Sequence, residues 1–262
     1  MRLTRGRKTA LVGVVLVLAV AAAWFWLRGT PAIVAACTAT AGSSSFAIDP
    51  EQAVNATTIA AEAQRQGLPD HAVSVGLAAA LQESKLLNLP YGDRDSLGLF
   101  QQRPSQGWGT PAELLDPRYA ARAFFRGLRR VRGWQTLPIY LAAQRVQRSA
   151  DGSAYAAWDA ESRTLARGLT GETPAGFSCR FPSIRAATAS SRAQLSAALA
   201  SALGPDVLAP GTSPAHGWLA ASWLMSRAPT YRVRRISFAA WTWTPTAGWR
   251  HQDRTQPALT FS

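Results

Sequence analysis

One short stretch, residues 78–109, holds residue types whose spacing suits acid–base chemistry. An apolar helical pattern ends in a single acidic residue, Glu83, and a turn-rich segment with two more carboxylates, Asp93 and Asp95, follows it. A carboxyl group at the end of an apolar helix is partly desolvated and lies near the negative pole of the helix, and both effects disfavour its ionised form. Because a carboxyl group that keeps its proton near neutral pH can protonate a leaving oxygen, this stretch predicts a site that cleaves glycosidic bonds.

The residues that follow offer groups for holding a sugar chain. Gln101 and Gln102 come directly after a Gly-Leu-Phe run, and their amides can bond to N-acetyl groups, although an ordinary edge strand fits the same residues. Gly98 allows the backbone to approach closely. Trp108, between two glycines, is either a platform for sugar stacking or a packed loop anchor. Gln101, Gln102 and Trp108 are therefore the first predicted substrate contacts.

These short motifs resemble those of a known enzyme family. Glu83-Ser84 followed by Gly98-Leu99-Phe100-Gln101 resembles the E-S and G-L-M-Q motifs of lysozyme-like lytic transglycosylases. Gly92-Asp93-Arg94 is similar to the G-D-R element of goose-type lysozymes, one residue closer to the second motif. The resemblance spans about residues 50–170. It implies cleavage of the β-1,4 bond between N-acetylmuramic acid and N-acetylglucosamine in peptidoglycan, with Glu83 as general acid and base and no cofactor.

The resemblance leaves the second catalytic step open. Asp93 or Asp95 can act as a second carboxylate: carboxyl groups about 5–5.5 Å apart permit a covalent intermediate, and about 6.5–9.5 Å leaves room for a water. In lytic transglycosylases the substrate's own N-acetyl or 6-hydroxyl group does this work, one Glu suffices, and the product is a 1,6-anhydro sugar. Gln144 stands where that family has the Tyr of an A-Y-N-A-G motif, which bears on how the intermediate is stabilised. We take Asp93 as the first candidate for the second carboxylate and Gln144 as a further substrate contact.

Helices are expected to position these groups. Asp49-Pro50 and Pro69-Asp70 are start signals, and the second of these helices carries an apolar stripe that puts Glu83 in its last turn. Helical patterns continue over residues 116–132, 137–149 and 153–168. Residues 49–170 therefore predict a mainly α, lysozyme-like domain.

The N-terminal residues predict a membrane anchor and a linker. Residues 1–9 are basic, and 10–27 form a run of 18 uncharged residues, about long enough to cross a bilayer as a helix with the remainder outside. A cleaved signal peptide is the alternative. Residues 28–48 are rich in small and polar residues and predict a linker, and Val34-Ala35-Ala36-Cys37 also has the residue types of a lipoprotein site.

Two cysteines, Cys37 and Cys179, bracket the region of resemblance. In an exported protein such a pair predicts a disulfide, and two unpaired thiols are the alternative. Between this region and the C-terminal part, residues 171–183 read as a Gly/Pro/Thr-rich linker.

The C-terminal part, residues 184–262, shows helical patterns followed by strands and predicts a small α+β domain. It loosely resembles the C-terminal part of metal-dependent D-alanyl-D-alanine carboxypeptidase-like domains. Only His216, His251 and Asp253 are candidate ligands, and His216 has no matched carboxylate, so no metal site is predicted. The predicted fold class is thus a mainly α lysozyme-like domain after an N-terminal transmembrane helix, followed by a small α+β domain.

The charge of the chain bears on its partners. The net charge of +13 lies mainly outside residues 49–170, and basic flanks suit an anionic membrane surface or cell-wall polymer. No known nucleic-acid motif accompanies them, so nucleic acid is not a predicted partner. The predicted protein is a single-pass cell-membrane protein with its bulk extracytoplasmic, bound to peptidoglycan glycan strands. Its rival is a non-catalytic, membrane-anchored wall-binding scaffold of lysozyme-like fold.

Overall fold

The computed structural model of the protein describes residues 34–149, 153–184, 190–209 and 211–262. The helices in these ranges are α1 (Pro50–Arg65), α2 (Asp70–Ser84), α3 (Pro111–Leu114), α4 (Pro117–Leu128), α5 (Ile139–Gln147), α6 (Ser153–Ala156), α7 (Asp159–Thr170), α8 (Arg192–Leu203), α9 (Pro214–Ser226) and α10 (Ala228–Tyr231). The strands are β1 (Ala36–Ala41), β2 (Ser44–Ile48), β3 (Phe177–Arg180), β4 (Ile236–Thr244) and β5 (Gly248–Phe261), and short 3₁₀ turns lie at Pro104–Gln106 and Pro205–Leu208.

Most helices begin where local capping signals predict. At α1, the Gln52 side chain accepts a hydrogen bond from the Asp49 backbone N–H at 2.7 Å. At α4, the Asp116 carboxylate accepts one from the Arg118 N–H at 2.9 Å. Such side-chain bonds satisfy groups that the first helical turn leaves open. The ends differ more: α4 stops at Leu128 instead of residue 132, and the predicted helix over 153–168 is split into α6 and α7.

Helix α2 lies at the centre of the helices because its apolar residues point in every direction. Residues 72–81 are all buried, and α1, α4, α5 and α7 pack around them. Gly76 allows the closest approach, since a β-carbon there would lie 3.0 Å from side-chain atoms of both Ile59 and Phe125. The apolar stripe predicted for this helix is therefore only part of its buried surface.

The first sheet is antiparallel, in the order β2-β1-β3, and joins the two ends of the helical region. Cys37 of β1 is paired with Cys179 of β3, and the two form the predicted disulfide across 142 residues of sequence. These strands occupy the ranges 28–48 and 171–183, whose composition predicted linkers. The alternation that marks a strand is carried in β1 by the small residues Cys37, Ala39 and Ala41, which give a weak hydrophobic signal.

The C-terminal residues pack onto the helices instead of folding apart from them. In α9, residues 217–226 are all buried, and this helix packs against α1, α7 and β4. The Thr57 and Ser226 hydroxyls, from α1 and α9, are hydrogen-bonded at 3.1 Å. Strands β4 and β5 form the second antiparallel sheet, and the indole N–H of Trp243 donates to the Cys179 carbonyl of β3 at 2.9 Å.

The predicted fold class is therefore wrong. The described residues from 35 to 262 belong to one compact unit of helices with two small antiparallel sheets, not to a mainly α domain followed by a separate α+β domain. The reason is that apolar surface on α1 and α9 is buried by mutual packing, which composition alone does not reveal. The predicted transmembrane segment, 10–27, lies outside the described residues, and none of the described helices is long and apolar enough to cross a membrane.

Candidate active site

Glu83 lies in the last turn of α2 and is half-buried. The helix ends there because Lys85 takes up a left-handed conformation, with φ of 55°. Two side chains of α1 hold the chain that follows: Gln52 donates to the Lys85 carbonyl at 2.7 Å, and Asn55 donates to the Leu86 carbonyl at 2.8 Å. The end of the central helix, and the carboxyl group it carries, are thus fixed to the neighbouring helix.

The Tyr155 hydroxyl donates a hydrogen bond to Oε1 of Glu83. Burial raises the pKa of the Tyr155 phenol, and the hydrogen bond with Glu83 and its negative charge raise it further, while a hydrogen bond with Ser149 acts in the opposite direction. The phenol therefore keeps its proton through the physiological range and acts as a donor. Oε2 of Glu83 has no hydrogen-bond partner among the described residues.

A second aromatic residue near Tyr155 steadies the residues on either side of Glu83. Trp158, just before α7, donates from its indole N–H to the Gln82 side chain at 2.9 Å. The ammonium of Lys85 lies 4.2 Å from the centre of the Trp158 ring, a distance that suits a cation–π contact. The segment from α6 to α7 therefore closes over the end of α2 with one phenol and one indole.

Backbone carbonyls of the Gly98–Gln101 motif accept hydrogen bonds from the end of α2 and from α5. The Ser84 hydroxyl donates to the Leu99 carbonyl at 2.8 Å, and the Gln147 amide donates to the Phe100 carbonyl at 2.6 Å. The motif is a turn closed by the isolated bridge between Leu97 and Gln102, not an edge strand. Ser84 thus joins the two sequence motifs, Glu83-Ser84 and Gly98–Gln101, in space.

Gln101 is bonded to its own loop. Its amide N–H₂ donates to the carbonyls of Tyr91 and Gly98, both at 3.2 Å. A β-carbon at Gly92 would lie 1.8 Å from the Gln101 side-chain oxygen, so glycine is needed there for this side chain to fold back. At Gly98, with φ of 75°, a β-carbon would lie 2.2 Å from the Leu114 carbonyl, so the close approach is made by protein backbone.

The other predicted sugar contacts differ in burial and in their partners. Gln102 is 2 % exposed, and its amide points to the Ala120 carbonyl at 3.4 Å. Gln144 donates to the Ser149 carbonyl at 3.2 Å, at the end of α5. Trp108 is half-buried and lines a cavity that contains four arginines.

The two aspartates of the loop have different environments. Asp95 accepts hydrogen bonds from the Arg103 guanidinium at 2.8 Å and from the Ser105 N–H at 2.7 Å. Arg103 first, and Ser105 next, lower the pKa of Asp95 well below its ordinary value. The Asp93 side chain is 91 % exposed, and its nearest charged partner, Arg94, lies 3.9 Å away. Asp95 is thus bound within its loop, whereas Asp93 faces solvent.

The described residues hold no group of three or more His, Cys, Asp and Glu side chains placed to bind a metal. His216 is exposed in the first turn of α9, and His251 is exposed beside the Trp241 ring.

Sequence reasoning missed two residues that contact the site, Tyr155 and Gln147. Tyr155 is separated from Glu83 by 72 residues, and no local pattern connects them. The resemblance points to Gln144, because this residue stands where the family has a tyrosine. A search of the later helices for any other tyrosine would have found Tyr155 as a candidate.

No model of a known protein family matches this chain, and the comparison with characterised proteins finds no match either.

Proposed function

We propose that this protein cleaves the β-1,4 bond between N-acetylmuramic acid and N-acetylglucosamine in peptidoglycan, with Glu83 as the general acid and base. The observation that carries the proposal is that the two oxygens of the Glu83 carboxyl group have different surroundings. Oε1 of Glu83 accepts from Tyr155, and Oε2 has no partner among the described residues. A carboxyl group held by one oxygen and open at the other is suited to exchange a proton with a bound substrate.

In the proposed reaction the protonated Glu83 donates from Oε2 to the glycosidic oxygen as the bond from that oxygen to C1 breaks. The carboxylate left behind then takes a proton from the hydroxyl group that attacks C1. Tyr155 donates to Oε1 in both protonation states because its own proton is firmly held, so the carboxyl group keeps one orientation through both steps. Preserved geometry of this kind lowers the reorganisation needed at the reacting centre.

The surroundings of the aspartates support a route with one catalytic carboxylate. Asp95 is occupied by Arg103 and Ser105, whereas Asp93 is 91 % exposed and its charged partner, Arg94, is 3.9 Å away. A nucleophile or base is usually held by its neighbours. The attacking hydroxyl in our proposal is therefore the C6 hydroxyl of the substrate, which gives a 1,6-anhydro product as in lytic transglycosylases.

The proposed setting is the extracytoplasmic cell wall, with the glycan strands as partner. The disulfide between Cys37 and Cys179 supports this location, since such bonds persist in oxidising compartments and are rare in the cytosol.

The substitution Glu83→Gln tests the proposal. It keeps the size of the side chain and removes the transferable proton, so we expect clearing of a peptidoglycan suspension to fall at least about 100-fold. Binding of the protein to sedimented peptidoglycan should stay unchanged. Glu51→Gln, at an exposed position in the first turn of α1, is the matched control and should keep full activity.

Two outcomes would count against the proposal. Unchanged clearing by the Glu83→Gln variant excludes this residue as the acid. Wall binding by the wild type without any turnover favours the rival, a non-catalytic wall-binding scaffold. Mass spectrometry of the soluble products then distinguishes the routes, because anhydro ends and reducing ends differ by the mass of one water.

A further inference from the structure

A cavity of about 450 Å³ lies between α4, α5 and the loop that carries Trp108. We call it the arginine cavity. Its lining is dominated by four arginines and two aromatic residues, namely Arg126, Arg130, Arg145, Arg148, Trp108 and Tyr119. Glu83 does not line it.

The four arginines bring an excess of positive charge to one place. All four side chains are exposed, and no carboxylate lines the cavity. None of them forms an ion pair with a described acid. The ion-paired arginines of the described residues lie elsewhere, namely Arg94, Arg103, Arg122, Arg163 and Arg167. The pKa of Glu113, a carboxylate outside the lining, is lowered chiefly by hydrogen bonds from Thr110 at the start of α3, and to a smaller extent by Tyr119 and Arg126.

Like charges that line one cavity repel one another, and an anion in the cavity relieves that repulsion. Guanidinium groups bind phosphate well because their planar fork of N–H donors matches two phosphate oxygens. Arg126 lies in the last turn of α4 and Arg145 in the last turn of α5, while Arg130 and Arg148 come just after these helices. A ligand between the two helix ends can therefore meet both pairs.

The aromatic walls distinguish between kinds of phosphate ligand. The Tyr119 ring is covered by the Arg126 guanidinium, 5.5 Å from the ring centre. The Trp108 ring is half-buried and packs beside Gly127, where a β-carbon would lie 3.3 Å from it. Stacked bases need an open aromatic face, and a flat lipid surface does not fill a recess. A polymer of small polyols joined by phosphates can bind with only the guanidinium groups and the volume of the cavity, because it needs no aromatic face.

We propose that the arginine cavity binds a phosphodiester group of an anionic polyol-phosphate polymer. This proposal goes beyond the proposed glycan cleavage and stands without it. In this proposal Trp108 lines an anion-binding site and does not act as a platform for sugar stacking.

The test measures binding of the full-length chain to poly(glycerol phosphate) over a range of salt concentrations. We expect the double variant Arg130→Gln with Arg145→Gln to bind at least about tenfold more weakly, and the slope of log affinity against log salt to fall by about 2, one for each lost phosphate contact. Arg234→Gln with Arg250→Gln, two exposed arginines outside the cavity, is the control of equal charge and should bind as the wild type does.

The other arms distinguish the sources of phosphate. Pyrophosphate should compete with the polymer for binding. A DNA oligonucleotide and phosphatidylglycerol vesicles should both bind the wild type more weakly than the polymer does. Their affinities should fall no further in the cavity variant than in the control variant. The Glu83→Gln variant should bind the polymer normally, which keeps this proposal separate from the catalytic one. A second cavity pair, Arg126→Gln with Arg148→Gln, repeats the test if the first variant does not fold.

The proposal is overturned if the control pair loses as much affinity as either cavity pair, since the effect would then come from overall charge. It is equally overturned if DNA or the vesicles bind more tightly than the polymer and depend on the same arginines.

Discussion

At the scale of single residues, the pairing of Tyr155 with Glu83 gives the two oxygens of one carboxyl group different surroundings. A phenol with a raised pKa is a donor that does not compete for the proton that the carboxyl group transfers in the proposed reaction. A second carboxylate in the same position would repel the ionised form of Glu83, and a lysine would pair with it strongly. Tyr155 is therefore well suited to a positioning role in our proposed mechanism.

The substitution Tyr155→Phe tests that role. We expect kcat to fall about tenfold to hundredfold with little change in KM, because Glu83 loses one charge-assisted hydrogen bond that fixes its orientation. Stability should fall by about 1 kcal/mol. Steady-state kinetics on purified peptidoglycan and urea unfolding measure the two effects separately.

Tyr140→Phe is the control for this prediction, since it removes the same hydroxyl from a half-buried tyrosine of α5. It should leave both constants unchanged. An unaltered kcat in the Tyr155→Phe variant, or an equal loss in both variants, would contradict the positioning role.

The residue types at the site could be read from the sequence, but their partners could not. Glu83 was found because a lone acid after an apolar helix is a local pattern. Tyr155 and Gln147 were missed because their contacts join distant parts of the chain. The choice between Asp93 and Asp95 is open in sequence, because what distinguishes them is the contacts of Asp95 with Arg103 and Ser105 in the folded chain.

At the scale of elements, the loop between α2 and α3 is held by its own polar side chains. Asp95 joins Arg103 to Ser105, and Gln101 closes the loop onto Tyr91. The carbonyls of Leu99 and Phe100 are held in turn by Ser84 and Gln147. The loop beside Glu83 therefore combines these hydrogen bonds with the apolar packing of Leu99 and Phe100, both of which are fully buried.

The ionisation of Asp95 should couple the stability of this loop to pH. The pKa of Asp95 is lowered in the folded protein, so its contribution to stability is present above the ordinary value of 3.8 and is lost as the pH falls below it. We expect Asp95→Asn to lower the melting temperature at pH 6, and the difference from the wild type to shrink as the pH approaches 3. Thermal unfolding followed by circular dichroism between these values measures both effects.

Asp93→Asn is the matched control, because the Asp93 side chain is 91 % exposed and has only a distant contact with Arg94. Its melting temperature should follow the wild type at every pH. If the melting temperature of Asp95→Asn equals that of the wild type at pH 6, or if the difference between them does not change with pH, this carboxylate does not hold the loop.

Helices of this protein were easier to predict than its strands. Capping residues such as Asp49 and Asp116 act within a few residues of sequence, so the starts of α1 and α4 could be read directly. The strands β1 and β3 contain small or polar residues, and their pairing joins positions 142 apart. Composition therefore described them as linkers.

At the scale of the whole molecule, β3 is where the helical region and the C-terminal residues meet. Cys179 is bonded to Cys37, its carbonyl accepts from Trp243, and its N–H lies 3.0 Å from the sulfur of Met225. The Trp249 indole donates to the Phe177 carbonyl at 2.8 Å. One four-residue strand thus connects the first sheet, α9 and the C-terminal hairpin.

Loss of the disulfide should weaken the entire fold. It closes a loop of 142 residues that includes Glu83, and removing a long-range bond of this kind costs roughly 2–5 kcal/mol. We expect the double variant Cys37→Ser with Cys179→Ser to unfold at a lower urea concentration than the oxidised wild type. Reductant should lower the wild-type midpoint towards that of the variant and leave the variant unchanged. Coincident midpoints without reductant would contradict this expectation.

The packing of α2 against other helices on several sides limits how the proposed site can diversify. A change of residue along the buried length of α2 disturbs packing on several sides at once. The position of the Glu83 carboxyl group at the end of this helix is therefore tightly constrained. If the protein cleaves glycans as proposed, adaptation to altered glycans, whether natural or by directed evolution, is then confined to the two surrounding segments, residues 87–109 and 153–158. Libraries built for new cleavage specificity should concentrate there.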